Sequence, residues 1–164
     1  MKIKIGHGYD AHRFKNNEKL ILGGVEIEYK HGLSGHSDAD VLTHAVIDAL
    51  LGAAGLDDIG VLFPDSDEKY KNISSLILLE RTVNLIKKDY TISNIDCTVV
   101  AEEPKLTRYK QAMKSKLSGV PGLDGVDINV KATTEEGMGF TGRREGIAAY
   151  AVCILMQKNK NQKN

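Results

Sequence analysis

An α+β fold, a small mixed sheet with helices packed on one face, is predicted by three features of the sequence. Segments alternating at period two are interleaved with segments of helical period, a Gly-Gly dipeptide separates two short apolar runs, and no repeat or Pro/Ser-rich linker divides the chain. A chain of 164 residues suits a single domain over residues 1–164, since at this length folding buries about 68–70% of the unfolded surface.

Lys2–His7 alternates as a strand does and is expected to end at Gly8. Lys19–Leu22 and Val25–Tyr29 flank Gly23-Gly24 and read as a hairpin. Val41, Leu42, Ala45, Val46, Ala49 and Leu50 recur at helical spacing, with Asp40, His44 and Asp48 on a second, polar stripe. Ser37-Asp38-Ala39-Asp40 predicts a capping box in which the Ser37 hydroxyl caps that helix, and Gly52 and Gly55 mark its fraying end. Ile73–Lys88 reads as a helix with Leu76, Leu79, Val83 and Ile86 as its buried seam. Thr91–Ala101 returns to period two with Ile95, Cys97, Val99 and Ala101 on one face; Thr107–Leu117 is a basic amphipathic helix and Val126–Ala132 another strand. Ile147–Met156 is apolar throughout, so periodicity leaves strand and helix open. Residues 157–164 are polar and predicted to be a disordered tail.

Composition narrows the function. The 22 basic and 22 acidic side chains balance, which disfavours nucleic acid as a partner. No run approaches the length of a membrane span and the first residues lack the apolar stretch of a signal peptide, so no membrane is expected. Cys97 and Cys153 form no C-x-x-C motif and read as small core residues of a cytoplasmic protein.

Four stretches carry chemistry. Gly6-His7-Gly8-Tyr9-Asp10-Ala11 matches a dinucleotide fingerprint, but that motif demands an immediate helix and Arg13–Asn17 has no helical stripe. Asp10 and His12, two apart on an extended chain, point to the same side, so one ion could take both. His44 could add a third ligand, and two His plus one carboxylate leave a tetrahedral Zn²⁺ with an open position; the alternative is that both imidazoles are solvated surface groups. Asp40 or Asp48 could orient the His44 ring, or be plain helix-surface acids. Phe63-Pro64-Asp65-Ser66-Asp67-Glu68 is an acidic turn that fails as an EF-hand, having Tyr70 where glycine is required. The segment 132–144 runs from a strand into a loop of hydroxyls, acids, glycines and two arginines. Backbone N–H groups freed by glycine, with hydroxyls and Arg, suit a phosphate, and a divalent cation would reconcile the acids with it.

Taken together and in order, Gly6–His12, Gly35–Asp40, Asp57–Gly60 with Phe63-Pro64-Asp65, Ala101–Leu106 and Val130–Arg143 resemble the 2-C-methyl-D-erythritol 2,4-cyclodiphosphate synthase family. The resemblance spans residues 3 to about 156. It implies conversion of a cytidine diphospho-methylerythritol 2-phosphate into the cyclic diphosphate with release of CMP, in the non-mevalonate isoprenoid pathway. Asp10, His12 and His44 match the Zn²⁺ ligands. Glu136 matches the carboxylate that holds a second ion, Mg²⁺ or Mn²⁺, with the substrate diphosphate. His36 and Thr134 match positions credited with positioning the diphosphate and stabilising the transition state, and Ser37 sits beside them.

Asp58 and Gly60, with Ile59 between them, match ribose contacts. Phe63, Pro64, Asp65, Ser66 and Asp67 match the erythritol-side loop. Ala101, Glu102, Glu103, Pro104, Lys105, Leu106 and Thr107, with Thr133, match the cytidine and phosphate pocket, and Phe140 and Arg143 further substrate-lining positions. Many members carry a third Thr at Glu135, so two adjacent acids compete for the metal; counting back from Gly139–Arg143 favours Glu136 and leaves Glu135 among the substrate contacts. The family implies a homotrimer with sites between subunits and makes Ile147–Met156 a core strand near the threefold axis. Bifunctional relatives carry a fused cytidylyltransferase, for which this length leaves no room. Two other readings compete: a zinc-dependent nucleotide-diphosphate phosphohydrolase, and a non-catalytic trimer binding isoprenoid diphosphate in an axial cavity lined by Phe140, Arg143 and Glu145.

Overall fold

The computed structural model describes residues 2–159. Strands β1 (Ile3–Asn16), β4 (His31–Leu33), β5 (Tyr90–Val100), β6 (Asp127–Thr133) and β7 (Gly146–Gln157) form one sheet in the order β4-β1-β7-β5-β6. The sheet is mixed: β5 and β6 run parallel, and every other neighbouring pair is antiparallel. Strands β2 (Leu20–Leu22) and β3 (Val25–Ile27) form a separate hairpin. Its turn residues Gly23 and Gly24 both have positive φ, 56° and 71°, the combination that a two-residue turn of right-handed twist requires.

The long helix α1 (Val41–Ala54) lies across β1 and β7, and α3 (Ser75–Ile86) packs on α1. Helix α4 (Lys110–Ser118) packs against β6, while α2 (Ile59–Leu62) and α5 (Gly139–Gly142) are single turns. Along β1 the side chains alternate, so that Gly6, Gly8, Asp10 and His12 share the face toward α1 and Ile3, Ile5, His7 and Tyr9 share the other. Across the sheet, Gly8 pairs with Ala151, Ala151 with Cys97 and Cys97 with Val130, a row buried under the helices. The opposite face exposes Ile3, Ile5, Tyr9, Tyr150 and Val152, of which Ile5 is 70% exposed.

Several expectations are corrected. Gly8 does not end the first strand, which runs on to Asn16. The glycines serve packing instead: a Cβ on Gly6 would meet the carbonyl oxygen of Ala49, and one on Gly8 that of Ala45. Close approach of α1 to β1 thus explains the pattern that imitates a dinucleotide fingerprint. The helix starts at Val41, and Asp40, not Ser37, is its N-cap, accepting the Thr43 N–H at 3.0 Å. Asp40 is no surface acid. Fully buried, its carboxylate also accepts Gly23 N–H (2.8 Å), Gly24 N–H (2.7 Å) and the Thr43 hydroxyl (2.7 Å), tying the hairpin to the helix start.

The α3 seam keeps Leu79, Val83 and Ile86, while Leu76 is only half-buried and Leu78 is buried in addition. The basic segment from Thr107 opens with a 3₁₀ turn, Thr107–Tyr109, before α4 begins. Ile147–Met156 is the strand β7, the middle of the sheet. Polar sequence did not stop it at 156: Gln157 pairs with Tyr90, and Lys158 N–H donates to Asp89. Residues 160–164 of the expected tail lie outside the described residues. Cys97 and Cys153 are buried and unpaired, and burial pushes the Cys97 thiol up to about 12 and that of Cys153 up to about 11, as inert core groups require.

Candidate metal centre and substrate cavity

Strand β1 presents Asp10 and His12 toward α1, and the helix returns His44 to meet them. Asp10 Oδ2 lies 2.9 Å from both His12 Nε2 and His44 Nδ1, and the two nitrogens are 3.3 Å apart. The edges of this triangle approach the ~3.3 Å edge of a tetrahedron whose vertices sit about 2.0–2.1 Å from a central ion. His12 Nδ1 is 2.6 Å from the Ser34 carbonyl oxygen, which accepts its proton and leaves Nε2 with its lone pair toward the triangle. Donor identity, spacing and ring orientation all fit a divalent metal held by three protein ligands.

Burial works against charge on Asp10, but where no cation is bound in the triangle, protons carried on the facing nitrogens of His12 and His44 outweigh it and hold the carboxyl well below the usual carboxylate range. Burial likewise disfavours imidazolium at His12, and the Asp10 carboxylate overrides it, raising His12 above the ordinary histidine value. The cluster thus concentrates negative potential where a cation is to sit.

Neither Asp40 nor Asp48 orients His44. Asp48 accepts the Ile59 N–H at 2.8 Å, and burial raises its carboxyl. The partners of His44 Nε2 are instead the hydroxyls of Ser75 (2.9 Å) and Ser37 (3.1 Å). Ser75 is fully buried at the first turn of α3 and donates its hydroxyl proton to Asp38. Sequence reading missed Ser75 in this role because no periodicity links it to a histidine 31 positions earlier.

The cluster opens into a cavity of about 210 Å³ lined by Asp10, His12, His44, Gly35, His36, Ser37, Asp48, Ile59, Gly60, Phe63, Asp65, Tyr70 and Leu78. His36 Nε2 is buried and has no hydrogen-bond partner among the described residues. Asp58 stands just behind the lining as N-cap of α2, accepting the Val61 N–H at 3.1 Å. In the acidic turn, Phe63 packs edge-on against Tyr70 at 5.4 Å, and Asp67 caps the 3₁₀ turn Glu68–Tyr70 and pairs with Lys69. Pro64, Ser66 and Asp67 therefore shape the loop without lining the cavity.

The remaining candidates lie elsewhere on the chain. Because β5 and β6 are parallel, their C-terminal ends bring 101–107 and 133–136 side by side, joined by Ala101 N–H donating to Thr133 O at 3.0 Å. None of these residues lines the 210 Å³ cavity. Thr133 is exposed, Thr134 half-buried, and Glu102 Oε2 is buried without a partner among the described residues. Pro104, Lys105 and Thr107 line a shallow groove with Arg108 and Tyr109. Glu103 accepts from Tyr29 (3.3 Å) and pairs with Arg144 (3.4 Å), linking this loop to the one after β6. Leu106 is buried in the core.

The two adjacent acids separate here: Glu135 accepts the Thr141 hydroxyl, whereas Glu136 is exposed with φ at 52°. Phe140 borders a groove with His12, and Arg143 pairs with Glu145 at 2.8 Å.

Such a fold and site define a class, α+β proteins that carry a two-histidine, one-carboxylate cluster at the mouth of a cavity between a strand and its covering helix. A family model described as the YgbB family matches residues 3–156, and the chain belongs to that family. It is 59% identical over 155 residues to the 2-C-methyl-D-erythritol 2,4-cyclodiphosphate synthase of Clostridium acetobutylicum, covering 94% of this chain and 100% of that one. Among solved structures it is similar to the bifunctional IspDF from Campylobacter jejuni, with a TM-score of 0.91 and 46% identity over 96% of this chain, and it spans 43% of that protein. It is also similar to IspF of Plasmodium falciparum in a CDP complex, with a TM-score of 0.82, 37% identity, and coverage of 96% of this chain and 97% of that one.

Proposed function

We propose that this chain catalyses cyclisation of 4-diphosphocytidyl-2-C-methyl-D-erythritol 2-phosphate to 2-C-methyl-D-erythritol 2,4-cyclodiphosphate, releasing CMP. It is then a phosphorus–oxygen lyase of the non-mevalonate isoprenoid pathway. The observation that carries the reading is the Asp10–His12–His44 cluster opening beside His36 Nε2, which has no partner among the described residues, in a chain 59% identical to a synthase of that name.

In this reading Asp10, His12 and His44 hold Zn²⁺, and Glu136 with the substrate diphosphate holds Mg²⁺ or Mn²⁺. When bound, the ions neutralise phosphoryl oxygens, worth several kcal/mol of transition-state charge stabilisation. The nucleophile is the substrate's own 2-phosphate, already ionised at neutral pH, so no general base is demanded of the protein. The bond formed joins a 2-phosphate oxygen to the β-phosphorus; the bond broken joins that phosphorus to the oxygen bridging to CMP, which leaves with the electron pair. His36 and Thr134 offer donors to the shifting charge. Ser37, Asp58, Ile59, Gly60, Phe63 and Asp65 hold the erythritol and ribose side, Pro64, Ser66 and Asp67 shaping the loop that does so. Residues 101–107 with Thr133 take the cytidine. Glu135, Phe140 and Arg143 complete the substrate lining. Fixing the ring-closing geometry adds an effective-concentration term of up to about 7–11 kcal/mol in the best intramolecular cases.

The two groups of site residues occupy separate regions of one chain, which supports a homotrimer whose sites form between subunits. The apolar outer sheet face around Ile3, Ile5 and Tyr150 supplies a surface for that assembly. Buried, unpaired Cys97 and Cys153 suit the cytoplasm.

Phosphorus NMR of the products with the cytidine substrate and Mg²⁺ tests the reading. The expected result is a cyclic diphosphate appearing in step with CMP. CMP with only acyclic phosphates would make the chain a phosphohydrolase, and ligand binding without turnover would make it a storage module.

A further inference from the structure

Behind the metal cluster lies a hydrogen-bond chain that no ligand explains. His44 Nε2 is 2.9 Å from Ser75 Oγ, and Ser75 Oγ–H donates to Asp38 Oδ1. Asp38 Oδ2 accepts the Ser75 backbone N–H at 2.9 Å. Ser74, the N-cap of α3, makes no side-chain cap bond, so Asp38 caps that helix from a loop 37 positions away in sequence. Both carboxylate oxygens thus accept from Ser75, and Oδ1 also takes the Asp40 N–H at 3.3 Å.

We propose that Ser75 and Asp38 are positioning residues that fix the proton of His44 on Nε2, keeping the Nδ1 lone pair aimed at the metal. A carboxylate can only accept, so Ser75 Oγ–H must point to Asp38 and its oxygen must accept from His44 Nε2–H. A neutral imidazole with its proton on Nε2 has its free lone pair on Nδ1, the atom that faces Asp10 and His12. Ser37 Oγ, 3.1 Å from the same nitrogen, is a secondary acceptor that also takes the Ala39 N–H. The proposal rests on the metal reading of the cluster and concerns residues outside it.

In Asp38→Asn the single amide oxygen is claimed by the Ser75 backbone N–H, which has no other partner among the described residues. The amide NH₂ then faces Ser75 Oγ, whose proton must turn toward His44 Nε2 and so collides with the proton that a Zn²⁺-bound ring carries there. Ser75→Ala removes the hydroxyl and leaves Ser37 to accept.

Zinc affinity, read by chelator competition on the folded proteins with circular dichroism as the folding control, should therefore fall by about tenfold in Ser75→Ala and toward about a hundredfold in Asp38→Asn, the range typical of outer-shell partners. The double variant should bind zinc no worse than Ser75→Ala alone, because deleting the misdirected hydroxyl relieves the conflict. Losses that simply multiply, as independent structural damage would, overturn the relay, as do single variants within twofold of the parent. A parent that takes up no zinc overturns the metal assignment and the relay together; a parent that holds zinc alongside variants that hold it equally overturns the relay alone.

Discussion

Glu135 and Glu136 are adjacent in sequence, yet one carboxylate turns inward to accept the Thr141 hydroxyl while the other stands exposed. The difference is set by the backbone: Glu136 and Gly137 both have positive φ, 52° and 83°, and a non-glycine residue there costs on the order of 1–3 kcal/mol. Glu136→Gln is expected to raise the Mg²⁺ or Mn²⁺ concentration needed for half-maximal activity by tenfold or more. Glu135→Gln, which keeps an acceptor for Thr141, should shift it by less than about threefold; tenfold is 1.4 kcal/mol. A metal titration of turnover in both variants checks the order, and the reverse ranking would reassign the ligand. Counting along the motif favoured Glu136, and the structure adds that Glu135 already has a partner in Thr141.

At the scale of elements, β1 and α1 make the site, and their closeness decides its geometry. Asp10 and His12 reach His44 because Gly6 and Gly8 let the helix backbone settle on the strand. The helix start is anchored by Asp40, whose two oxygens serve four donors from the hairpin and the first helical turn. Burial pushes this carboxyl upward and the donors around it pull the other way. Asp40→Ala would strand the buried N–H groups of Gly23 and Thr43 and the part-buried one of Gly24, each buried group costing about 1–3 kcal/mol. The expected outcome is a loss of about 3 kcal/mol or more, read as a fall in Tm at fixed protein concentration, with zinc uptake weakened because His44 sits one turn on. An unchanged Tm would remove Asp40 from this role.

For the whole molecule, the question is what covers the outer sheet face. Ile5 is 70% and Ile3 63% exposed, and the rings of Tyr9 and Tyr150 pack tilted across β1 and β7, 4.9 Å between centroids. Asp96, Asn129 and Lys131 form a polar patch on the same face. A large apolar surface with a polar edge is typical of an interface between like subunits. Ile5→Asp should break the proposed trimer into smaller species by sedimentation velocity, and activity should fall with it if, as proposed, each site draws on two subunits. A trimer that survives the substitution would place the interface elsewhere.

Local order was legible wherever the deciding contacts lie within a few residues. The i, i+2 spacing put Asp10 and His12 on one side of a strand, the apolar recurrence from Val41 marked the helix that bears His44, and Gly23-Gly24 marked a hairpin. Motif order placed the family. What the linear pattern left undecided were contacts between distant segments: glycines that end no strand but admit a helix, an acid at position 40 buried where its stripe suggested solvent, and β7 settled as a strand by its neighbours on both sides. The Ser75–Asp38 chain belongs to the same group, invisible until three segments converge. Periodicity records which face of an element avoids water, whereas hydrogen-bond partners and close approach depend on the three-dimensional meeting of elements, which spacing along the chain does not encode.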